Sequence, residues 1–228
     1  MLLNRWFPNW GRVVETIDQG NAKLTFSQFG EDQMVWERFQ NKRNGFYVDV
    51  GCHHPFRYSN TALLSNFLDW RGINIDPDAR AIAQFQEHRP NDINLLCAVD
   101  REAGETEMFF FEDGAINSLD PDMAAAQTKQ YGTPRRELVP VMRLRDVLDQ
   151  HLPAGVWIDY MNIDCEARDL AVLESNDWDK FRPRLLSVEA HGFDPGRPGE
   201  HPIFRFLQAQ EYVFFSQYYA TSFYELRG

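Results

Sequence analysis

Apolar segments of strand length alternate with amphipathic segments of helix length along residues 45–99, and that rhythm leaves few folds open. Residues 45–50 (GFYVDV) read as a strand. Ser59 is the N-cap candidate for a helix carrying Ala62, Leu63, Leu64, Phe67 and Leu68, and Gly72 restarts the chain as GINIDP. Asp78 caps a further helix to about His88, and residues 92–99 (DINLLCAV) form a third strand. Strand, helix, strand, helix, strand at this spacing requires right-handed βαβ crossovers and a parallel sheet. Upstream, Ser27 is placed to cap a helix to about Arg38, with Glu31 and Asp32 in its early turns.

Downstream, residues 105–111 (ETEMFFF) read as a strand, and 112–134 as an irregular loop long enough to be functional or mobile. Residues 137–142 are extended and 144–152 helical. Residues 155–163 (GVWIDYMNI) form a second strongly apolar strand running into Asp164 and Glu166, with a helix to Leu173. Residues 185–188 form another strand, running into Glu189 and His191. The aromatic tail alternates as an antiparallel hairpin at a sheet edge. Residues 1–25 read as an arm, a cap over a site or a dimer contact, followed by a single domain over 26–228, with a homo-oligomer left open.

Four strands end in ionisable side chains: Asp49, Asp76, Asp164 with Glu166, and Glu189 with His191. In open α/β sheets ligands bind beyond the carboxyl ends of the strands, where strand order reverses, so these residues define a rim. The loop after the first strand, GCHHPF, is neither a G-x-G-x-x-G turn nor a P-loop, which excludes a pyrophosphate cradle there. Gly51 permits close backbone approach. Asp76, 27 residues after Asp49, is placed to accept from a ribose diol. A ribose without a pyrophosphate, next to carboxylates, fits S-adenosylmethionine with its sulfonium and ammonium.

The net charge of −11, with no basic cluster, argues against a nucleic-acid partner. Cys52, Cys97 and Cys165 form no C-x-x-C pair and read as free thiols of a reducing cytoplasm. No apolar run is long enough for a membrane span, and the first residues lack a secretory signal pattern.

The segments SQFGEDQ (27–33), GFYVDVGCHHP (45–55), SNT (59–61), DWRGINIDPD (69–78), LLCAVD (95–100), NIDCEARDLAVL (162–173) and RPRLLSVEAHGF (182–193) together resemble the FkbM family of S-adenosylmethionine-dependent O-methyltransferases. The resemblance implies a class I, Rossmann-like methyltransferase fold: a mostly parallel sheet flanked by helices, closed by the antiparallel C-terminal hairpin. It implies methyl transfer to a hydroxyl, commonly of a sugar or glycan precursor or another natural product. Asp49 and Gly51 would face the methionine part of the cofactor, Asp76 with Pro77 the ribose, and Ala98 and Val99 the adenine. Asn60 and Thr61, at a helix start, would hold its carboxylate. His53 would lie on the first loop, and Gln28 and Asp32, with Glu31, in a lid helix. Asp164, Glu166, Glu189 and His191 are the catalytic candidates. His191 is favoured as general base because a neutral imidazole titrates near 7, with His53 and His54 as further base candidates. One departure stands out: where the family has D-x-E-G-x-E this chain has DCEARD, with Ala167 for glycine and Asp169 for glutamate.

A divalent cation on Asp164, Glu189 and His191 is a variant of the mechanism. A non-sugar or peptide acceptor, a catalytically inactive cofactor-binding module and a metal-dependent hydrolase built on His53 and His54 are the competing readings.

Overall fold

The computed structural model describes residues 23–40 and 42–227, so nearly all of the expected arm over 1–25 lies outside the described residues. The first half of the chain forms α1 (Glu31–Phe39), β1 (Phe46–Val50), α2 (Ala62–Leu68), β2 (Arg71–Asp76), α3 (Ala79–His88), β3 (Ile93–Leu96) and β4 (Ala98–Val99). Next come β5 (Gly104–Phe110), a 3-10 turn (Gly114–Ile116), α4 (Pro121–Tyr131), β6 (Arg135–Met142) and α5 (Leu144–His151). The last part is β7 (Tyr160–Ile163), α6 (Asp169–Glu174), β8 (Leu185–Glu189), α7 (Pro202–Ala209), β9 (Tyr212–Tyr218) and β10 (Thr221–Leu226).

Seven strands build the main sheet in the order β3-β2-β1-β7-β8-β10-β9. The first five are parallel, and β10 and β9 close the edge antiparallel. The chain moves outward from β1 to β3 and later outward again from β7 to β8, so strand order reverses between β1 and β7. Strand alternation sorts the core. Val48, Ile73, Met161 and Leu186 pack on the face covered by Leu148 of α5, Val172 of α6 and Leu207 of α7. Tyr47, Tyr160, Leu185 and Phe223 pack against Val35 of α1 and Leu64 of α2 on the other face.

That second face carries a polar row. In register across five parallel strands stand Asn94, Asn74, Asp49, Asn162 and Ser187. Asn162 donates to Asp49 (2.9 Å) and accepts from Ser187 (2.6 Å) and Asn60 (3.0 Å). Thr61 donates to the other Asp49 oxygen at 2.8 Å. Arg89, only 3% exposed, donates to Thr61 (2.8 Å), the Tyr47 hydroxyl (2.9 Å), Ser59 (3.2 Å) and the Pro55 carbonyl. Tyr47 in turn donates to Asp92, which also accepts from Asn74. Buried polar groups survive only when satisfied, and this network links nearly all of its members.

The structure corrects several sequence readings. Residues 92–99 are not one strand: the last partner that β2 offers is Asp76, opposite Leu96, and beyond it Ala98–Val99 pairs with β6 instead. That second sheet has the order β4-β6-β5. The strand expected over 155–163 is regular only from Tyr160, where its ladder with β1 begins opposite Tyr47. The expected loop over 112–134 contains α4, started by the Asp120 side chain on the Asp122 and Met123 amides, with Pro121 at the first position. Ser27 and Ser59 are not N-caps; Gly30 and Thr61 hold those places. The Ser27 hydroxyl still accepts from the Gly30 and Asp32 amides. Asp78 caps α3 as expected, through the Arg80 amide.

Thr61→Val keeps the shape of the side chain and leaves Asp49 and Arg89 each short of a partner. Urea denaturation should show a loss of about 1–3 kcal/mol, the cost of buried groups left unsatisfied. A loss under about 0.5 kcal/mol, the range of a neutral surface change, would mean the row is not structural.

Candidate functional site

Beyond the carboxyl ends of β1, β2, β4, β7 and β8 lies a cavity of about 400 Å³, within the range of small-molecule sites. Its roof comes from elsewhere in the chain: Gln28, Phe29 and Glu31 before and in α1, the Gly114–Ile116 turn, Met123, Gln127 and Tyr131 of α4, and the β9–β10 turn at Tyr219. The helix that the sequence reading took for loop is thus part of the enclosure, and its Asp-Pro start and following Gly132 were the signals that would have found it.

At the switch point the backbone is packed to contact. Gly51 has φ +78°, and a Cβ there would lie 1.8 Å from the Asp164 carbonyl oxygen, so only glycine fits. The Gly51 amide donates to Ile75 (2.9 Å) and the Asp164 amide to Val50 (3.0 Å), tying three strand ends together.

The two adjacent histidines diverge. His54 Nδ1 accepts from the amides of Phe56 and Arg57, both at 3.1 Å, and so shapes the loop. His53, at φ +52°, turns inward and lines the cavity. Its Nε2 is buried without a partner, and desolvation with the nearby Arg57 charge lowers its pKa to about 4, so it is neutral. Nδ1 of His54 is thus spent on the turn, and of the two rings His53 lines the main cavity.

Of the expected cofactor residues, Gln28, Asp49, Gly51, His53, Asn60, Asp76, Pro77, Ala98 and Val99 line the cavity. Two do not. Asp32 spends its carboxylate on the Phe26 amide (2.7 Å) and the Thr25 and Ser27 hydroxyls, fixing the entrance of α1. Thr61 lies one layer beneath, on Asp49 and Arg89. Asp76 accepts from the amides of His53 (2.9 Å) and Asp78 (2.8 Å), and burial raises its pKa to about 6. Arg89 and Asn162, which the sequence reading missed, hold Asp49 in place from below and from the side.

Asp164, Glu166, Glu189 and His191 all line the cavity. His191 Nε2 lies 2.9 Å from Glu189 Oε1, while Glu189 Oε2 is buried without a partner. This corrects the expected base: the Glu189 hydrogen bond, with Glu166 and Asp169 nearby, raises the His191 pKa to about 9. The imidazole is already protonated at neutral pH. Burial and the Glu189 charge raise Glu166 to about 8 and Asp169 to about 7. Asp164 opens onto the cavity, yet the low-dielectric surroundings and Glu189 push its pKa well up. The DCEARD departure has a conformational cost, since Glu166 (φ +47°) and Ala167 (φ +75°) are both left-handed.

Six carboxylates line the cavity (Glu31, Asp49, Asp76, Asp164, Glu166 and Glu189), and among the described residues no lysine or arginine does. Such a wall suits a cationic ligand. The ligand atoms of Glu166, Glu189 and His191 also lie within 4.8 Å of one another, a grouping able to hold a metal ion.

The model of the Methyltransferase FkbM domain matches residues 49–214, well over half of the chain. No curated protein matches it. Among solved structures, the chain is similar to Haemonchus contortus phosphoethanolamine N-methyltransferase 1 in complex with phosphoethanolamine and S-adenosylhomocysteine, at 12% identity and a TM-score of 0.37. That match covers 99% of this chain and 46% of the other.

Two outcomes follow from this geometry. Ala167→Gly should raise stability by about 0.5–1 kcal/mol, the left-handed penalty relieved less the extra chain entropy of glycine; urea denaturation checks it. Glu166, Asp169 and Asp76 titrate near 4 when unfolded and at about 8, 7 and 6 when folded. The folded state therefore holds extra protons from about pH 4 upward, and stability is lost as pH rises through those folded values. The melting temperature of the ligand-free protein should fall between pH 5 and pH 8.5, as the pKa separation requires, and fall less steeply in Glu166→Gln.

Proposed function

The chain belongs to the FkbM methyltransferase family, and from that premise we propose that it transfers a methyl group from S-adenosylmethionine to a hydroxyl of a sugar or glycan precursor. The observation that carries the reading is the carboxylate-lined cavity at the switch point, free of lysine and arginine among the described residues. Bound there, S-adenosylmethionine would supply an electrophilic methyl group on a cationic sulfur. Asp76 would accept from the ribose hydroxyls, and its raised pKa disposes it to share a proton there. Asp49 and Gly51 would face the methionine end, with Asn60 and the neutral His53 beside them. Gln28 would contact the cofactor from the α1 side, and Ala98, Val99 and Pro77 would form the apolar wall for the base.

Glu189 is the best-placed general base. Its Oε2 is buried and, among the described residues, accepts from no amide, hydroxyl or basic side chain, the protonated Asp164 carboxyl being its neighbour, and the hydroxyl of an acceptor molecule is a donor of the right kind. Glu189 would take that proton as the methyl group passes from the sulfonium to the oxygen. His191, hydrogen-bonded to Oε1, orients the carboxylate. Asp164 and Glu166 line the same part of the cavity, and a cationic sulfur beside them would favour loss of the protons that burial keeps on them. The roof of Gln28, the Gly114–Ile116 turn and α4 would keep water out and hold the reactants aligned.

A second reading gives Glu166, Glu189 and His191 a divalent cation that would bind the acceptor oxygen, on the strength of their clustering. Exhaustive chelation followed by magnesium or manganese decides between the two: full turnover in chelator excludes the cation. The unpaired cysteines support a reducing compartment such as the cytoplasm. No helix among the described residues is long and apolar enough to cross a membrane.

Calorimetric titration with S-adenosylhomocysteine should show binding by the parent and at least roughly tenfold weaker binding by Asp76→Ala. Glu189→Gln should keep that affinity and lose about 10²–10⁴ in kcat. Failure of the folded parent to bind overturns the cofactor assignment.

A further inference from the structure

The mouth of the cavity carries an aromatic pair that the chemistry above does not use. Phe29, just before α1, and Tyr219, at the tip of the β9–β10 turn, line the cavity with ring centroids 4.1 Å apart. They are 39% and 74% exposed. Tyr219 is held out at φ +53°, a conformation that bulky side chains rarely adopt. Two large rings brought together from distant parts of the chain and left open to solvent, at the rim of a polar cavity, mark a binding surface.

We propose that Phe29 and Tyr219 form the platform for the acceptor, and that this subsite takes an uncharged, polyhydroxylated ring and rejects acceptors bearing phosphate or carboxylate. The proposal rests on the methyltransferase reading above and specifies its acceptor. Aliphatic C–H groups on one face of such a ring meet the electron-rich aromatic faces. One of its hydroxyls, as a donor, meets Glu189 Oε2, and another hydroxyl oxygen accepts from the protonated Glu166 carboxyl.

An anionic group has no partner here. Arginines on the segments that supply its lining are engaged: Arg57 is paired with Asp113 and Arg168 with Asp100. His191 is already paired with Glu189, and His53 is uncharged. A phosphate on the acceptor would stand beside the Glu189 carboxylate in a partly desolvated cavity with no unpaired cation among the described residues, and like charges repel strongly there.

Saturation-transfer NMR on the full chain with saturating S-adenosylhomocysteine tests this. The probes are methyl glycosides of glucose, galactose, mannose and rhamnose, with glucose 6-phosphate, glucuronate and glucosamine for comparison. At least one neutral glycoside should bind, with transfer strongest to the C–H protons of one ring face, and the two anionic sugars should not. Tyr219→Ala should weaken the neutral sugar roughly three- to tenfold, the worth of one aromatic contact, and leave S-adenosylhomocysteine affinity unchanged. Binding of the anionic sugars, binding of glucosamine alone, no signal from any neutral glycoside, or glycoside binding indifferent to Tyr219→Ala each overturns the acceptor assignment. S-adenosylhomocysteine affinity, measured in the same samples, reports separately on the cofactor reading.

Discussion

The hydrogen bond between Asn162 and Asp49 spans the point where strand order reverses, and the rest of the site is built outward from it. The two residues stand opposite each other on β1 and β7, in the middle of a polar row that crosses five strands. A one-residue slip of either strand would move its polar side chain to the apolar face and leave the partner unsatisfied. The row therefore fixes register where an apolar core alone would be more permissive. It also presents Asp49, Asn162 and Asn60 to the cavity from a rigid base. Arg89 fastens the first loop to this base through Thr61, Ser59 and Pro55.

Above that base the electrostatics are one-sided. Carboxylates without basic partners raise one another's proton affinity, and burial raises it further. The ligand-free cavity thus holds a proton on Glu166 at neutral pH and on Asp76 below about pH 6, and a cationic ligand would displace them. Cavity and ligand charge are complementary, at the cost of stability in the ligand-free state at alkaline pH. The left-handed Glu166 and Ala167 sit in the same segment, so strain and charge are concentrated beside Glu189 and His191.

Much of this was legible in the chain. The βαβ rhythm, the strand-end acids and the antiparallel tail were visible because burial imposes a period on the sequence. The polar row was visible as letters: the same-face positions after Tyr47, Gly72, Tyr160 and Leu185 are Asp49, Asn74, Asn162 and Ser187. Their alignment was not, because nothing local says which strands are neighbours. The Gly155–Ile158 portion looked like strand on apolarity alone, but a strand extends only as far as its partner. Helix α4 was hidden by a weak apolar pattern and by the loop-like residues around it.

The side-chain roles divide in the same way. Sequence alone determined that acids and histidines gather at the ends of parallel strands, that Gly51 marks a close approach, and that the chain resembles a methyltransferase family. Local rules suffice for these, since period, caps and turn residues act within a few positions of one another. Only the tertiary structure decided that His191 is held protonated by Glu189, that His53 faces inward while His54 braces the loop, and that Asp32 and Thr61 serve the scaffold. It also joined Phe29 to Tyr219 across nearly the whole chain. Proton affinity, desolvation and the pairing of distant rings depend on which groups lie a few ångströms apart, and folding sets those distances between residues far apart in sequence.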